Sequence, residues 1–245
     1  MKKLMLLTST LVAGVAFASS VSSTQTFGVL KVASDLEQTV ISVPWVAAGT
    51  GDPIMVKDFV KTNGLNKGTM LYKYESDEYK AWILTDDGWT GIPSVSSFGG
   101  KTARPGSTDT LSQQDAIIIV RQANNTSGDI YLYGQYKDAS DLTYTIDRSK
   151  RAALVSPVNT SGAEINLNSG VTWDSENPPK QGDLIKLHTA GGTAPTYRYD
   201  PTRTQDDNYW GRKVNGEWEQ AVVQPGMGFW YTPVDDSGTT KFTVK

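Results

Sequence analysis

The chain contains a long internal repeat, in which residues 27–134 are matched again by residues 140–245. The clearest match places Gln114–Gly128 over Gln224–Gly238 without a gap, and each segment ends in a Ser-Gly turn. A period of this length indicates two copies of one folding unit, because short structural repeats have much shorter periods. We therefore expect two domains of the same fold.

The copies share further anchors and differ in two long inserts. The anchors keep their order along the chain: Thr39–Pro44 with Ala152–Pro157, Asn63–Gly68 with Asn177–Gly182, Trp82 with Trp210, Gly88 with Gly216, and Trp89 with Trp218. Tryptophans that both copies keep are expected in the folding core. The inserts, at 93–110 and 189–207, are candidate functional regions because loops carry function more often than scaffold strands. Long loops are also tolerated without any function.

Short apolar runs between turn residues predict antiparallel β structure. Asn215-Gly216 predicts a two-residue hairpin, since both residues tolerate positive φ. The best helical pattern, Val56–Thr62, and its shorter counterpart, Val171–Glu176, each predict one turn of helix at most. The predicted fold class is all-β, with two tandem, internally duplicated small antiparallel β-sandwich or partly open barrel domains and very little helix. Exchange of the first strand between the copies is left open.

The first residues have the pattern of a secretory signal peptide. Lys2 and Lys3 precede the apolar stretch Leu4–Ala16, and Ala16-Phe17-Ala18 is a small-x-small cleavage site. This stretch is too short for a membrane span, and no other segment approaches that length. We expect export to the cell surface or extracellular space, or to the periplasm. The predicted division is a signal peptide at 1–18, a first domain at 19–134, a linker at 135–139 and a second domain at 140–245.

Composition argues against several partners. The chain has no cysteine, so its stability must come from apolar cores rather than disulfides. The formal net charge is -3, and the sequence has no basic cluster. Nucleic acids and anionic membrane surfaces favour faces rich in lysine and arginine. We therefore expect neither as a partner.

The sequence offers few groups for catalysis, and we expect no cofactor, no metal site and no enzymatic activity. The only histidine, His188, lacks a Gly-x-Ser-x-Gly elbow and the further ligands that catalytic zinc requires. Glu217 and Glu219 flank Trp218 and point to one face of a strand, which could serve a glycosidase but is equally the pattern of a solvated face. Three acidic pairs lack the spacing of a calcium loop: Asp86-Asp87, Asp206-Asp207 and Asp235-Asp236.

Aromatic residues specific to one copy are the best candidates for ligand binding. Flat rings stack on sugar faces while polar neighbours fix the orientation of the sugar. The candidates are Trp45, Tyr197, Arg198, Tyr199 and Tyr209. Tyr197 and Tyr199 are predicted on one side of a strand, where packing beneath the long insert is the alternative.

The terminal strands are candidates for assembly, because an unpaired sheet edge can accept another chain. The candidate edge residues are Phe27, Val29, Leu30, Phe242 and Val244. Since the copies share little identity, self-assembly is expected to be head-to-tail rather than between equivalent halves.

The segment from Gly216 to Trp230 resembles a motif of exported tandem β-repeat proteins of Verrucomicrobia-type bacteria. In that family a Trp strand is followed by a Pro-Gly-x-Gly-Phe turn and strand, here Trp218 and Pro225–Phe229. The first copy departs from the motif, with Gln114-Asp115-Ala116 in place of Gln-Pro-Gly. The resemblance implies export and a repeated β fold, and it assigns no catalytic residue.

These observations predict an exported, non-catalytic structural or adhesive protein of the cell surface or extracellular matrix, self-assembling through open sheet edges. The alternative is a pair of carbohydrate-binding modules that recognise a surface polysaccharide. A small glycosidase that uses Glu217 and Glu219 is the third hypothesis.

Overall fold

The structure is a computed structural model, and it is almost entirely β. It describes residues 27–33, 38–43, 45–46, 53–59, 65–75, 78–92, 104–105, 110–113, 115–121, 129–136, 142–158, 163–187, 194–203 and 209–245. Within these ranges the one helix is α1, Val56–Phe59, a single turn. The predicted all-β class is confirmed. No helix in the described ranges combines the length and the apolar character that crossing a membrane would need.

The strands fall into two successive modules. The first module comprises β1 (Phe27–Ala33), β2 (Gln38–Ser42), β3 (Trp45–Val46), β4 (Ile54–Met55), β5 (Met70–Glu75), β6 (Glu78–Thr85), β7 (Gly88–Ile92), β8 (Arg104–Pro105), β9 (Thr110–Leu111), β10 (Ala116–Val120) and β11 (Asp129–Tyr136). The second module comprises β12 (Thr143–Asp147), β13 (Ala153–Val155), β14 (Ile165–Asn166), β15 (Val171–Trp173), β16 (Leu184–Leu187), β17 (Thr196–Tyr199), β18 (Trp210–Val214), β19 (Glu217–Gln220), β20 (Val222–Val223), β21 (Phe229–Thr232) and β22 (Thr239–Val244).

The six-stranded sheets of the two modules have the same topology, whereas the three-stranded sheets take their third strand from different places in the chain, since β3 precedes β4 and β15 follows β14. In the first, a three-stranded sheet has the order β1-β11-β3 and a six-stranded sheet the order β2-β10-β5-β6-β7-β8. In the second, the corresponding orders are β12-β22-β15 and β13-β21-β16-β17-β18-β19. The short ladders β4-β9 and β14-β20 also correspond. The first strand of each module pairs antiparallel with the last strand of the same module, so the terminal strands are not exchanged.

Each module is a sandwich whose two sheets face a common core. Period-two alternation directs one side of every strand inward, as in β12, where Tyr144 and Ile146 are buried between exposed residues. Trp173 of the three-stranded sheet contacts Trp210 of the six-stranded sheet, with ring centroids 5.7 Å apart. Every described sheet has two edge strands and none closes into a barrel, in keeping with the predicted sandwich.

The strand register corrects the tryptophan matches between the copies. Trp89 lies opposite Leu84 across β6 and β7, and Trp210 lies opposite Tyr199 across the equivalent strands β17 and β18. Trp89 therefore corresponds to Trp210, and both are buried, as is Trp82. The prediction that Trp218 belongs to the core is wrong, because its side chain is 45% exposed on the edge strand β19.

The local turn predictions hold better than the long-range matches. Asn215 and Gly216 have φ of 51° and 93°, as the predicted two-residue hairpin between β18 and β19 requires. Gly68 and Gly182, which the sequence also matched, donate equivalent backbone hydrogen bonds to Leu84 and Tyr199. Val171–Glu176 forms strand β15 up to Trp173 rather than a helical turn, because its backbone pairs with β22.

A buried ion pair lies in the core of the second module. The guanidinium of Arg148 donates to both carboxylate oxygens of Asp183, at 2.6 and 2.9 Å, and neither side chain is exposed. Asp183 also accepts from the Tyr231 hydroxyl and from the backbone N–H groups of Lys180 and Val234. Burial by itself would raise the pKa of Asp183, but these donors outweigh it and hold the pKa below its usual value.

The first module has largely apolar side chains at the same positions. The register of β10 against β5 places Ile119 where the second module has Tyr231. Ile130 stands in the place of Thr240, and Thr69 in that of Asp183. All three are buried in the first module. At these described positions the first module therefore lacks the aspartate and the tyrosine hydroxyl that bind Arg148 in the second.

The two modules meet through backbone hydrogen bonds. The N–H of Ser42 donates to the carbonyl of Gly226 at 2.8 Å, and the N–H of Gly228 donates to the carbonyl of Val40 at 3.2 Å. Ile41 and Met227 form an antiparallel bridge between these bonds. A Cβ on Gly228 would lie 2.8 Å from the Val155 carbonyl oxygen and 2.8 Å from Cγ1 of Val40. Only glycine therefore fits at this contact without a shift of the backbone.

Replacing Asp183 with Asn is expected to lower the free energy of unfolding at neutral pH by about 3–5 kcal/mol, because Arg148 would remain buried without its counter-charge. The folded pKa of Asp183 is depressed, so its stabilisation is complete above the unfolded pKa of ~3.9 and is lost as the pH falls through the folded value. Asp235, which also binds Arg148, has its pKa lowered to about 2 by hydrogen bonds from Lys180 and Arg148.

Urea unfolding of the wild type should accordingly show a stability that decreases between about pH 4 and pH 2. The Asp183→Asn variant should show a shallower decrease over that window. Asp236→Asn, at an exposed carboxylate outside this network, is the control and should follow the wild type. Equal slopes for the wild type and Asp183→Asn would contradict the assignment.

Replacing Gly228 with Ala is expected to lower the free energy of unfolding by about 1–3 kcal/mol, since both close neighbours of the new methyl group are tightly packed. Chemical denaturation of the full chain measures the change. Ser237→Ala, in an exposed turn, should leave the midpoint within the error of the wild type. An unchanged midpoint for Gly228→Ala would show that the modules separate readily at this contact.

Candidate functional site

The aromatic residues selected from the sequence do not form one exposed site. Tyr197 is 3% exposed, and Tyr199 packs on Trp210 with ring centroids 5.1 Å apart. Both tyrosines do lie on one side of β17, but that side faces the core, so neither ring is open to a sugar. Arg198 between them is exposed. Tyr209 is half-buried, and Trp45 lies in β3 with its side chain outside the described part of the structure.

Several other predicted features fall outside the described residues. These are His188, Asp206-Asp207, most of the insert at 93–110, and residues 188–193 and 204–208 of the second insert. Within the described residues, no group of three or more histidines, aspartates or glutamates is placed to hold a metal ion.

Glu217 and Glu219 have different surroundings in this structure. Glu219 accepts hydrogen bonds from the Tyr197 hydroxyl at 2.6 Å and from Nη2 of Arg212 at 2.8 and 2.9 Å. These bonds hold the pKa of Glu219 below its usual range. A general acid needs the opposite shift. Glu217 is exposed near the Asn215-Gly216 turn, so the solvated-face interpretation applies to it.

The same contacts explain the burial of Tyr197. Burial raises the pKa of its hydroxyl to about 12, and the hydrogen bond to Glu219 adds to this effect. The guanidinium of Arg212 lies over the Tyr197 ring, 5.4 Å from its centroid. Tyr197, Arg212 and Glu219 are therefore a closed polar end of the core, not an open binding surface.

The C-terminal strand is not an assembly edge. β22 is the middle strand of its sheet, and it pairs with β12 on one side and β15 on the other. Phe242 and Val244 are buried. The prediction that these two residues form an edge is therefore wrong. β1, with Phe27, Val29 and Leu30, is an edge strand, and Val29 is 60% exposed.

The structure instead gathers aromatic residues on the outer face of the first six-stranded sheet. Tyr72 and Tyr74 alternate with the buried Leu71 along β5, so both point away from the core. Tyr79 of β6 lies directly opposite Tyr74, and Ile118 of β10 lies directly opposite Tyr72. These contacts depend on the pairing of three strands.

The tyrosines line a shallow cleft, named here the tyrosine cleft, of about 270 Å³. Its lining residues are Gln38, Tyr72, Tyr79, Ile118 and Val120. Tyr79 is 40% exposed, so a large part of its ring is open to solvent. Tyr72 and Tyr79 meet edge to face, with ring centroids 6.0 Å apart and an interplanar angle of 82°. The cleft therefore presents two ring surfaces in different orientations, with an amide at its rim.

The aromatic cluster continues into the second module. Tyr74 contacts Tyr79 at a centroid distance of 5.0 Å, and on its other side contacts Trp230 of β21 at 5.6 Å. Trp230 is half-buried and lies on the outer face of its own six-stranded sheet. The outer faces of the two large sheets are thus joined at this pair of rings.

The phenols of the cleft stay neutral at physiological pH. Burial raises the pKa of both Tyr72 and Tyr79 above the usual tyrosine value. A neutral hydroxyl both donates and accepts a hydrogen bond. The described lining of the cleft therefore offers apolar ring faces together with hydroxyl and amide groups.

The signal for this cluster was present in the sequence at Tyr72 and Tyr74, which alternate within a run identified as a strand. The criterion of aromatics specific to one copy favours Trp45, Tyr197, Tyr199 and Tyr209 instead, and the placement of Ile118 opposite Tyr72 depends on the distant strand β10. No protein-family model, curated protein or solved structure was found to match the chain.

Replacing Glu219 with Gln is expected to lower the free energy of unfolding by about 1 kcal/mol, because the charged acceptor of the Tyr197 hydroxyl and of Arg212 is lost. Glu217→Gln, two residues away on the same strand and exposed, should change it by less than about 0.5 kcal/mol. Thermal and urea unfolding of the two matched variants provide the measurement. Equal, negligible effects would show that the Glu219 contacts do not stabilise the fold.

Proposed function

We propose that this protein is an exported, non-catalytic adhesive protein that binds carbohydrate through the tyrosine cleft. The observation that supports the proposal most directly is the cluster of Tyr72, Tyr74 and Tyr79 on the outward side of a sheet whose inward side is packed. Tyr74 packs against Trp230 of the second module, whereas Tyr79 leaves much of its ring in solvent. A contiguous exposed apolar patch is a common mark of a binding surface.

The chemistry of the cleft suits a sugar ring. The axial C–H groups of a pyranose form an apolar face that packs against an aromatic ring, while its hydroxyls need polar partners. Tyr79 offers a partly open ring, and the amide of Gln38 and the tyrosine hydroxyls offer hydrogen bonds. The volume is close to the lower end of the ~300–1,000 Å³ of small-molecule sites, which suits one ring of a longer polysaccharide.

The cleft is also held rigid, which lowers the entropic cost of binding. Leu71, Trp82 and Ile117, on β5, β6 and the neighbouring β10, are buried on the opposite face. Nearby, Lys73 and Asp115 form an ion pair at 2.8 Å with both side chains largely covered. Tyrosine has only two side-chain torsions, so few degrees of freedom remain to be ordered.

Export and adhesion rest on the signal-peptide pattern at 1–18 and on the lack of catalytic groups in the cleft. Self-assembly through both terminal strands has less support than a ligand-binding role, since β22 is an interior strand. Carbohydrate binding needs neither a metal nor a cofactor.

Replacing Tyr72 and Tyr79 with Ala together is expected to weaken polysaccharide binding at least tenfold, which corresponds to about 1.4 kcal/mol. The measurement is a glycan array with the mature protein, followed by titration of the bound glycans. The matched control is Tyr131→Ala/Tyr133→Ala, which removes two half-buried tyrosines from β11 of the other sheet. Circular dichroism and thermal unfolding identify any variant that has lost its fold.

The two variants separate the proposal from a general loss of stability. Weakened binding for the cleft variant alone supports the tyrosine cleft as the site. If wild type binds no glycan on the array, or if both double variants bind as wild type does, the proposal fails.

A further inference from the structure

The outer face of the second six-stranded sheet carries a row of cations and tryptophans. Trp230 of β21 lies opposite Lys186 of β16, and Lys186 lies opposite Thr196 of β17. Continuing the register of β17 against β18 places Lys213 next in the row, and Lys213 lies opposite Trp218 of β19. The row crosses five neighbouring strands, roughly 19 Å at the usual strand spacing.

The neighbouring row adds a further cation. Arg198 lies opposite Leu184. This pair is two residues along the strands from the pair formed by Lys186 and Thr196. The side chain of Arg198 is exposed on the same face as Lys186, because the buried Tyr197 separates it from Thr196. Lys186, Arg198 and Lys213 define what we call the cationic face.

Lys186 and Lys213 form no ion pair among the residues that the structure describes, whereas Arg198 lies near Asp200 and helps to lower the pKa of that carboxylate. Other basic residues of the module differ in this respect. Arg148, Lys180, Arg203 and Arg212 each contact an aspartate or a glutamate. Lys186 and Lys213 therefore place positive charge that no described ion pair offsets on the outer face of this sheet.

The tryptophan at the far end of the row is open to a ligand. Trp218 is 45% exposed although it is a large apolar side chain. The guanidinium of Arg203 lies 4.2 Å from the centroid of its ring, and Lys213 lies at 6.0 Å. These cations hold the indole against the sheet and leave part of it in solvent.

The first module has no such charges at the equivalent positions. The shared registers place Tyr72 where the second module has Lys186, Ala81 where it has Thr196, and Ile83 where it has Arg198. The inward-facing positions of the same strands remain apolar or aromatic in both modules. The two outer faces therefore differ in chemistry. The face of the first module is aromatic, and the face of the second module is cationic with a tryptophan at each end.

We propose that the cationic face binds the acidic groups of a polysaccharide, either uronate carboxylates or sulfate esters. This inference rests on the proposed function, because the contact between Tyr74 and Trp230 joins the tyrosine cleft to the cationic face. One polysaccharide chain then runs from stacking contacts in the first module to charge-assisted contacts in the second. Lys186 and Lys213 lie two strand spacings apart, about 10 Å, so they meet separate acidic groups along the chain.

The test compares binding of the mature protein to polygalacturonate, heparin, a neutral β-glucan and a single-stranded oligonucleotide. The variant is Lys186→Gln/Lys213→Gln, and the matched control is Lys57→Gln/Lys67→Gln, which removes the same charge from exposed positions of the first module. Titrations in about 0.1 M and about 1 M NaCl separate charge from stacking, since the Debye length falls from ~10 Å to ~3 Å.

We expect the wild type to prefer an acidic polysaccharide at low salt, and the Lys186/Lys213 variant to bind it about tenfold more weakly. The control variant should bind within twofold of the wild type. Polygalacturonate and heparin identify which acidic group is recognised. The neutral glucan should be insensitive to both lysine variants and to salt.

The outcomes separate this inference from the function on which it rests. If a neutral glucan is bound in a tyrosine-dependent way, and acidic polymers are bound no better, the cationic face has no role and the tyrosine cleft stands. Absence of binding to every polysaccharide overturns both. Tighter, lysine-dependent binding of the oligonucleotide overturns the assignment to acidic sugars and assigns the face to nucleic acid.

Discussion

The backbone contact between β2 and residues 226–228 determines how the two modules lie against each other. Hydrogen bonds from Ser42 and Gly228 cross this boundary, and Gly228 has no side chain to keep the strands apart. Because β2 and the start of β21 belong to the large sheets, the contact aligns the outer faces of both. Tyr74 and Trp230 then meet at 5.6 Å, and a surface that neither module has alone is formed.

The cores of the modules show that the shared topology does not depend on one set of interactions. Arg148 and Asp183 are held by bidentate hydrogen bonds in the second module, whereas the first module has Thr69 at the position of Asp183 and Ile119 at that of Tyr231. A buried ion pair of this kind contributes little net stability over an apolar replacement, although removing one partner is costly. The buried ion pair therefore makes the stability of the second module sensitive to acid without changing its fold.

Features that depend on residues adjacent in the chain can be predicted from the sequence. Features that depend on which strands pair with one another cannot. The Asn215-Gly216 hairpin depends on two residues, and its φ values agree with the prediction. The sequence matches Trp218 with Trp89 by identity. The strand pairing shows instead that Trp89 lies on β7, which is equivalent to β18, whereas Trp218 lies on the next strand, β19. The position of β22 within its sheet, and the placement of Ile118 opposite Tyr72, depend on pairings between distant segments, which no local pattern encodes.

The differences between the outer faces are best explained by function. Packing constrains the inward positions, where Leu71 and Ile185 occupy the same place in the two sheets. No such constraint requires Lys186 and Lys213 on the outside. At about 10 Å in water their repulsion is about 0.4 kcal/mol, small but unfavourable, and no described carboxylate offsets it. These like charges slightly weaken the folded state and lie beside exposed aromatic rings. Such an arrangement is typical of a surface that binds a ligand of opposite charge.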